Sequence, residues 1–192
     1  KDARGLVALA QMGVLEIHPW GSRADNIEHP DTMIFDLDPS PGVAWKQMIQ
    51  TARDVKKVLD HLHLTSFLKV TGGKGLHVVA PIKPKRNWDE LKEYSREIAK
   101  AIVEMDPEVR TLELRKQKRV GKIYVDFLRN GRGATAIAPY SPRALRGALI
   151  AMPISWRMLG GDLRPNQNTV QNITAALKRS DPWKDFFSRS KK

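Results

Sequence analysis

The sequence predicts a mixed α+β domain in which helices pack on a largely antiparallel sheet. Three observations carry that expectation. Two long amphipathic stretches, residues 44–62 and 87–105, alternate with short apolar runs that read as strands. The strands at 66–70 and 77–81 are joined by a glycine-rich connection, and those at 123–128 and 134–138 by a turn. Both connections are too short for the crossover that a parallel pair requires, which disfavours a doubly wound sheet. The 192 residues show no internal repeat, no low-complexity segment and no clear linker, so residues 1–192 are read as one domain.

The individual elements follow from local patterns. Residues 4–13 read as a helix with Leu6, Leu9 and Ala10 on one side and Gly13 as its stop. An extended piece, 15–20, and a polar loop lead to a strand at 33–38, which Pro39, Pro41 and Gly42 terminate. Within 44–62, Trp45, Met48, Ile49, Ala52, Val55, Leu59 and Leu62 recur at helical spacing. The second long helix opens at Asn87 with Glu90 three residues on, a capping-box start, and its apolar stripe is Trp88, Leu91, Tyr94, Ile98, Ile102 and Met105. A turn at 129–131 separates the strands at 123–128 and 134–138. A proline-bearing, weakly patterned region follows through 139–156, and short helices are expected at 169–178 and 183–187.

Composition narrows the partners. With 33 Lys and Arg against 21 Asp and Glu the formal charge is +12, which favours polyanions, nucleic acid first; a basic solvated surface is the plainer alternative. The densest basic run, Arg115, Lys116, Lys118, Arg119 and then Lys122, leads into a hydrophobic strand, unlike a disordered tail. The absence of cysteine excludes disulfides and thiolate metal sites and fits a cytoplasmic protein. No apolar stretch is long enough to cross a bilayer, and the first residues lack the pattern of a secretory signal, so no membrane association is expected.

The chemistry concentrates in three places. In the run Ile34-Phe35-Asp36-Leu37-Asp38-Pro39 the two acids share one strand face, and Asp126 interrupts a second apolar strand that could lie beside them. Three acids on neighbouring strands suit hard cations such as Mg2+ or Mn2+. Spacing alone equally allows strand-end acids facing solvent and an Asp126 paired to an arginine, and the same D-x-D occurs in manganese-binding glycosyltransferases. Thr71-Gly72-Gly73-Lys74-Gly75-Leu76-His77 offers backbone amides, an ammonium, a hydroxyl and an imidazole to a phosphate, or is an ordinary glycine hairpin. It is not a Walker A loop, because Lys74 is followed by Gly75 and a strand. Arg129 and Arg143, with Arg119 on the approach to the third acid, have the forked geometry that suits triphosphate oxygens, although singly each reads as surface charge.

Taken in order, HPWGSR, IFDLDP, TGGKGLHVVAP, IYVDFLRN and ATAIAPYSPRA closely resemble the polymerase domain of bacterial ATP-dependent DNA ligase D, within the archaeo-eukaryotic primase superfamily. The resemblance spans residues 6–156 and implies a primase-like core with a mostly antiparallel, RRM-like sheet. It implies a nucleotidyltransferase of non-homologous end joining that extends primers and fills gaps by a two-metal mechanism. Nucleoside triphosphates would be substrates, with ribonucleotides and manganese favoured. DNA ends and gapped DNA, the Ku end-binding protein and a ligase module in cis or trans are the implied partners, at the bacterial nucleoid. By position, Asp36, Asp38 and Asp126 resemble the metal-binding catalytic acids. Thr71 stands where the family usually has Ser, His77 matches the histidine on the triphosphate, and Lys74, Arg119, Arg129 and Arg143 match basic positions around the nucleotide. His18 and Trp20 also match the family pattern and are read as structural. The family's upstream segment, which helps to bind the incoming base, template and 5′-phosphate, is expected to be missing from this sequence. Two rivals make different predictions: a two-metal nuclease would cleave without nucleotide, and a non-catalytic nucleic-acid-binding module would be indifferent to Asp36.

Overall fold

Alternation along one strand sets the architecture. In the computed structural model, which describes residues 2–160 and 162–190, β1 (Thr32–Pro39) turns Met33, Phe35 and Leu37 into the core and Ile34, Asp36 and Asp38 to the opposite face. β1 is central. β3 (Leu76–Pro81) and β5 (Ile123–Asp126) flank it, both antiparallel. β2 (Phe67–Val70) and β6 (Met152–Ile154) extend the sheet beyond β3. The short β4 (Arg110–Thr111) runs parallel to β5 at the other edge, giving the order β4-β5-β1-β3-β2-β6. The sheet is therefore largely antiparallel, with one parallel pair.

Two helices cover the apolar face. α2 (Trp45–His61) contributes Met48, Ala52, Val55 and Leu59, and α3 (Trp88–Glu104) contributes Leu91, Ile98, Ala99 and Ile102, all packed against Phe35, Leu37, Leu68, Val78 and Val125. Each buried aliphatic side chain is worth about 1.5–3 kcal/mol, so this layer outweighs the tenths of a kcal/mol at stake in helix propensity. The capping box forms as expected: Asn87 Oδ1 accepts from the Glu90 amide and Glu90 Oε2 from the Asn87 amide, each at 2.9 Å. Arg110 ties β4 to the helices through Asp54, Thr51 Oγ1 at 3.2 Å and the Ile102 carbonyl at 3.0 Å, all out of water.

Several expectations are corrected. Residues 134–138 form no strand of the sheet, because β1 and β4 already occupy both edges of β5. Their amides turn to the extended piece instead, Ala136 N–H donating to the Pro19 carbonyl at 3.3 Å and Ala138 N–H to Ile17 at 2.8 Å. The weakly patterned region contains β6, an edge strand that tolerates Pro153 because the missing N–H falls where no ladder bond is lost to a further strand. Met105 lies past the end of α3 and is half exposed, and Ser95 and Ala99 complete the buried stripe. α1 (Ala3–Gln11) forms, capped by Asp2, but buries none of its residues. The turn at 129–131 is part of a short 3-10 helix, Leu128–Asn130. α4 (Ile173–Leu177) is shorter than the 169–178 expected, and of the 183–187 expected as helix, 183–186 are turns and Phe187 opens the 3-10 helix Phe187–Arg189.

The second face of the sheet is divided. Trp183 and Phe186 stack at 5.1 Å, set edge-on to Phe67, and cover Ile34, Val79 and Ala136. The acidic end of the same face stays open.

Candidate active site

Strand register assembles the site. Asp36 is paired directly with Asp126 on one side and with His77 on the other, and His77 is paired with Lys69. One row across four strands thus carries two carboxylates, an imidazole and an amine on a single face. Side chains so paired lie about 5 Å apart, where two unit charges at an effective dielectric of 20 repel by about 3 kcal/mol. A cation must offset that repulsion, and Arg129 does so: its guanidinium lies 3.4 Å from Asp36 Oδ2 and 3.4 Å from Asp126 Oδ2. His77 Nε2 lies 3.4 Å from Asp36 Oδ1. Asp38, one pair further along, is held at 3.0 Å by Arg119, whose guanidinium also covers the Tyr124 ring.

These neighbours drive the two central acids apart in acidity. Burial alone would push the Asp36 carboxyl up, but the charge and hydrogen bond of His77, with Arg129 and Lys69, hold it below the usual carboxylate range. For Asp126 burial prevails over the Leu128 amide at 2.8 Å and over Arg129, and with repulsion from Asp36 it raises the carboxyl. Burial lowers His77 against the upward pull of Asp36, and its buried Nδ1 has no hydrogen-bond partner among the described residues. Burial also pushes the Lys69 amine down to about 7; its Nζ donates to the Ile137 carbonyl.

The glycine loop lines the cleft beside Asp36. Gly72 is in the left-handed region at φ +71°, and a Cβ there would meet Arg143 Cγ and the Ile150 carbonyl carbon at 2.9 Å. Gly75 lets the loop approach β1, since a Cβ would stand 2.6 Å from the Leu37 carbonyl oxygen. Thr71 Oγ1 donates to the Gly75 carbonyl at 3.2 Å, and Arg143 Nη1 donates to the Thr71 carbonyl at 2.8 Å.

Asp36, Asp38, Thr71, Lys74, His77, Arg129 and Arg143 line one cleft of about 300 Å3, and Asp126 adjoins it through Asp36. Arg119 is buried behind Asp38 and does not line the cleft. His18, read as structural, lines it; Trp20 packs edge-on against Trp88 at 6.0 Å. Sequence reasoning also passed over Asn130. It is buried, continues the edge of β5 beside β1, accepts from the Ile34 amide at 2.7 Å and donates to the Ile34 carbonyl at 2.8 Å. Asn130→Ala leaves both backbone groups unsatisfied and is expected to cost about 2 kcal/mol or more, read as a lower urea midpoint.

The donor set fits a hard divalent cation, since Asp36, Asp38 and Asp126 offer only carboxylate oxygens. Among the described residues no three acidic or imidazole groups close on one point, and Arg129 stands as the counter-charge of Asp36 and Asp126.

A carboxylate row beside a glycine loop and arginines, on the open face of an antiparallel sheet, is the design of a primase-polymerase domain. The family model for the LigD primase-polymerase domain matches residues 1–183, and the chain belongs to that family. It is 36% identical over 189 residues to the multifunctional non-homologous end joining protein LigD of Pseudomonas aeruginosa, covering 97% of this chain and 22% of that protein. It is 28% identical over 190 residues to the bifunctional non-homologous end joining protein LigD of Bacillus subtilis, covering 97% of this chain and 31% of that one. The polymerase domain of Mycobacterium tuberculosis ligase D, solved in complex with DNA, superposes with a TM-score of 0.89 at 28% identity, over 97% of this chain and 68% of that one. The chain thus spans less than a third of the length of these curated relatives. No helix of the described residues is long and apolar enough to cross a membrane.

Proposed function

We propose that the chain is a template-dependent nucleotidyltransferase that extends primers and fills gaps in bacterial non-homologous end joining, with nucleoside triphosphates as substrates. The observation that carries the reading is the cleft that Asp36, in register with Asp126, shares with a glycine loop braced by Arg143. Membership of the LigD primase-polymerase family supports it, as does the DNA in the solved relative.

In this reading Asp36, Asp38 and Asp126 hold two divalent ions, manganese favoured over magnesium. When bound, the ions supply Lewis acidity to a primer 3′-hydroxyl and charge neutralisation to departing pyrophosphate. The chain's own residues do the rest. Thr71, Lys74 and Arg143, with His18 and His77, orient the triphosphate so that its α-phosphorus faces the primer oxygen. Arg129 offsets the charge of Asp36 and Asp126 and lines the cleft, where it would pair with phosphate oxygens. The exposed Arg115, Lys116 and Lys118, beside the Asp38 end of the row, hold the nucleic-acid backbone. Ribonucleotide preference, action at gapped DNA and DNA ends in the cytoplasm, and cooperation with Ku and with a ligase module in cis or trans complete the proposal.

The test is extension of a labelled primer on gapped, 5′-phosphorylated DNA with manganese and ribonucleotides. Nucleotide-dependent lengthening is expected. Shortening without nucleotide would instead identify a nuclease, and binding without either reaction a non-catalytic module.

A further inference from the structure

We propose that Glu16 is a positioning residue, whose single carboxylate holds His18 and Arg143 on the wall of the triphosphate cleft. This rests on the nucleotidyltransferase reading and names a residue that reading does not use. Glu16 lies on the extended piece before β1, outside the cleft lining, and touches nothing that would be transferred. Its Oε2 lies 2.7 Å from His18 Nε2. Its Oε1 accepts from Arg143 Nε at 3.1 Å and from the Ala144 amide at 2.7 Å. Arg143 in turn reaches the glycine loop through the Thr71 carbonyl at 2.8 Å. One carboxylate therefore joins the extended piece, the segment around Arg143 and the loop at residues 71–75.

The arrangement is tight enough to govern ionisation. The His18 hydrogen bond, against the opposing effect of burial and with help from the Ala144 amide and Arg143, holds the Glu16 carboxyl down at about 2. Glu16 is thus an anion at any working pH. An anion beside a polyphosphate site has two possible effects of opposite sign. As a bystander it repels the ligand, and its removal tightens binding. As a clamp it restrains a guanidinium that otherwise samples many rotamers, and its removal weakens binding. The three contacts on Glu16 favour the clamp, because Arg143 is fixed from both sides, by Glu16 at Nε and by Thr71 at Nη1.

The experiment is calorimetric titration with inorganic tripolyphosphate, paired with primer-extension kinetics. Glu16→Ala is expected to weaken tripolyphosphate about tenfold, the equivalent of one lost charge-assisted contact. Glu16→Gln, which keeps an acceptor for the Ala144 amide, should weaken it about threefold and serves as the readout where Glu16→Ala does not fold. In extension, KM for the nucleotide should rise in parallel while kcat stays within about threefold, because the contact is equally present in ground and transition states. In a background carrying both His18→Ala and Arg143→Ala the effect of Glu16→Ala should fall below about threefold, since the residues to be positioned are gone. Unchanged or tighter binding by Glu16→Ala overturns the proposal, and so does a full tenfold cost that persists without His18 and Arg143. If the wild-type chain binds tripolyphosphate in a Glu16-dependent way but extends no primer, the polymerase reading fails and this inference stands. Extension with affinity independent of Glu16 has the reverse meaning.

Discussion

Asp36→Ala and Asp126→Ala are each expected to reduce primer extension by about 10³-fold or more, while affinity for gapped DNA stays within about threefold. The two acids are paired across β1 and β5, and either removal halves the carboxylate pair proposed to hold the cations. The basic surface proposed to hold the phosphate backbone is untouched by both changes. Stability separates loss of chemistry from loss of fold. Asp126 accepts from the Leu128 amide at 2.8 Å, so Asp126→Asn, which keeps an acceptor there, is the cleaner variant. The Asp126 carboxyl is raised by burial and by Asp36, so ionising it costs folding energy. For a raised carboxyl that cost is full above the folded value and disappears as pH falls through it toward the unfolded value. Asp126→Asn should therefore melt higher than wild type at pH 7, and the difference should shrink toward pH 4, while extension is lost at both. Asp36 has the opposite sign. Its depressed carboxyl contributes stability above the unfolded value that is lost as pH falls through the folded one, so Asp36→Ala should gain nothing at pH 7. Extension within tenfold of wild type in either variant would remove the acids from the chemistry.

Which parts of this are legible in the sequence follows from how local their causes are. β1, α2 and α3 are written in strong periodicity, and the Asn87–Glu90 box can be read four residues at a time. β4 has only two residues, and β6 carries Pro153, so neither shows a local strand pattern; both exist because a neighbouring strand offers a free edge. The segment 134–138 shows the converse, strand-like in composition but paired with 17–19 because β5 has no edge left. In the site, the acids and the glycine loop stand out because their chemistry is conspicuous in an apolar run. That Asp36 faces Asp126 is a matter of register, which the sequence constrains only through alternation. Glu16 and Asn130 are invisible from sequence for a different reason. Each meets a partner more than 90 positions away, Asn130 at Ile34 and Glu16 at Arg143, and nothing in LEIHPW or LRNG says which backbone or guanidinium that will be.

Lys69 provides the second large effect. Its amine is buried in β2, in the same row as His77 and Asp36, and a charge there has lost its water. Burial brings the amine to about 7, from 10.5 in the free side chain, with Asp36 pulling upward and Arg143 pushing down. The gap corresponds to about 5 kcal/mol of penalty when the amine is protonated in both states, below pH 7. Between about pH 7 and 10.5 the unfolded chain binds the extra proton, so this contribution makes the wild-type protein more stable as pH rises. Lys69→Met removes the charge at similar volume and sacrifices the bond to the Ile137 carbonyl, a loss of about 1–3 kcal/mol. The variant is therefore expected to be more stable than wild type at pH 7 by about 2 kcal/mol or more, and less stable near pH 10.5, where only the lost bond remains. Urea unfolding of both proteins across that range measures the crossing directly. A difference that stays constant from pH 7 to pH 10 would mean that Lys69 keeps its proton inside the sheet. The ammonium would then stand beside Asp36 across the whole range, and its burial would be a cost carried for the site.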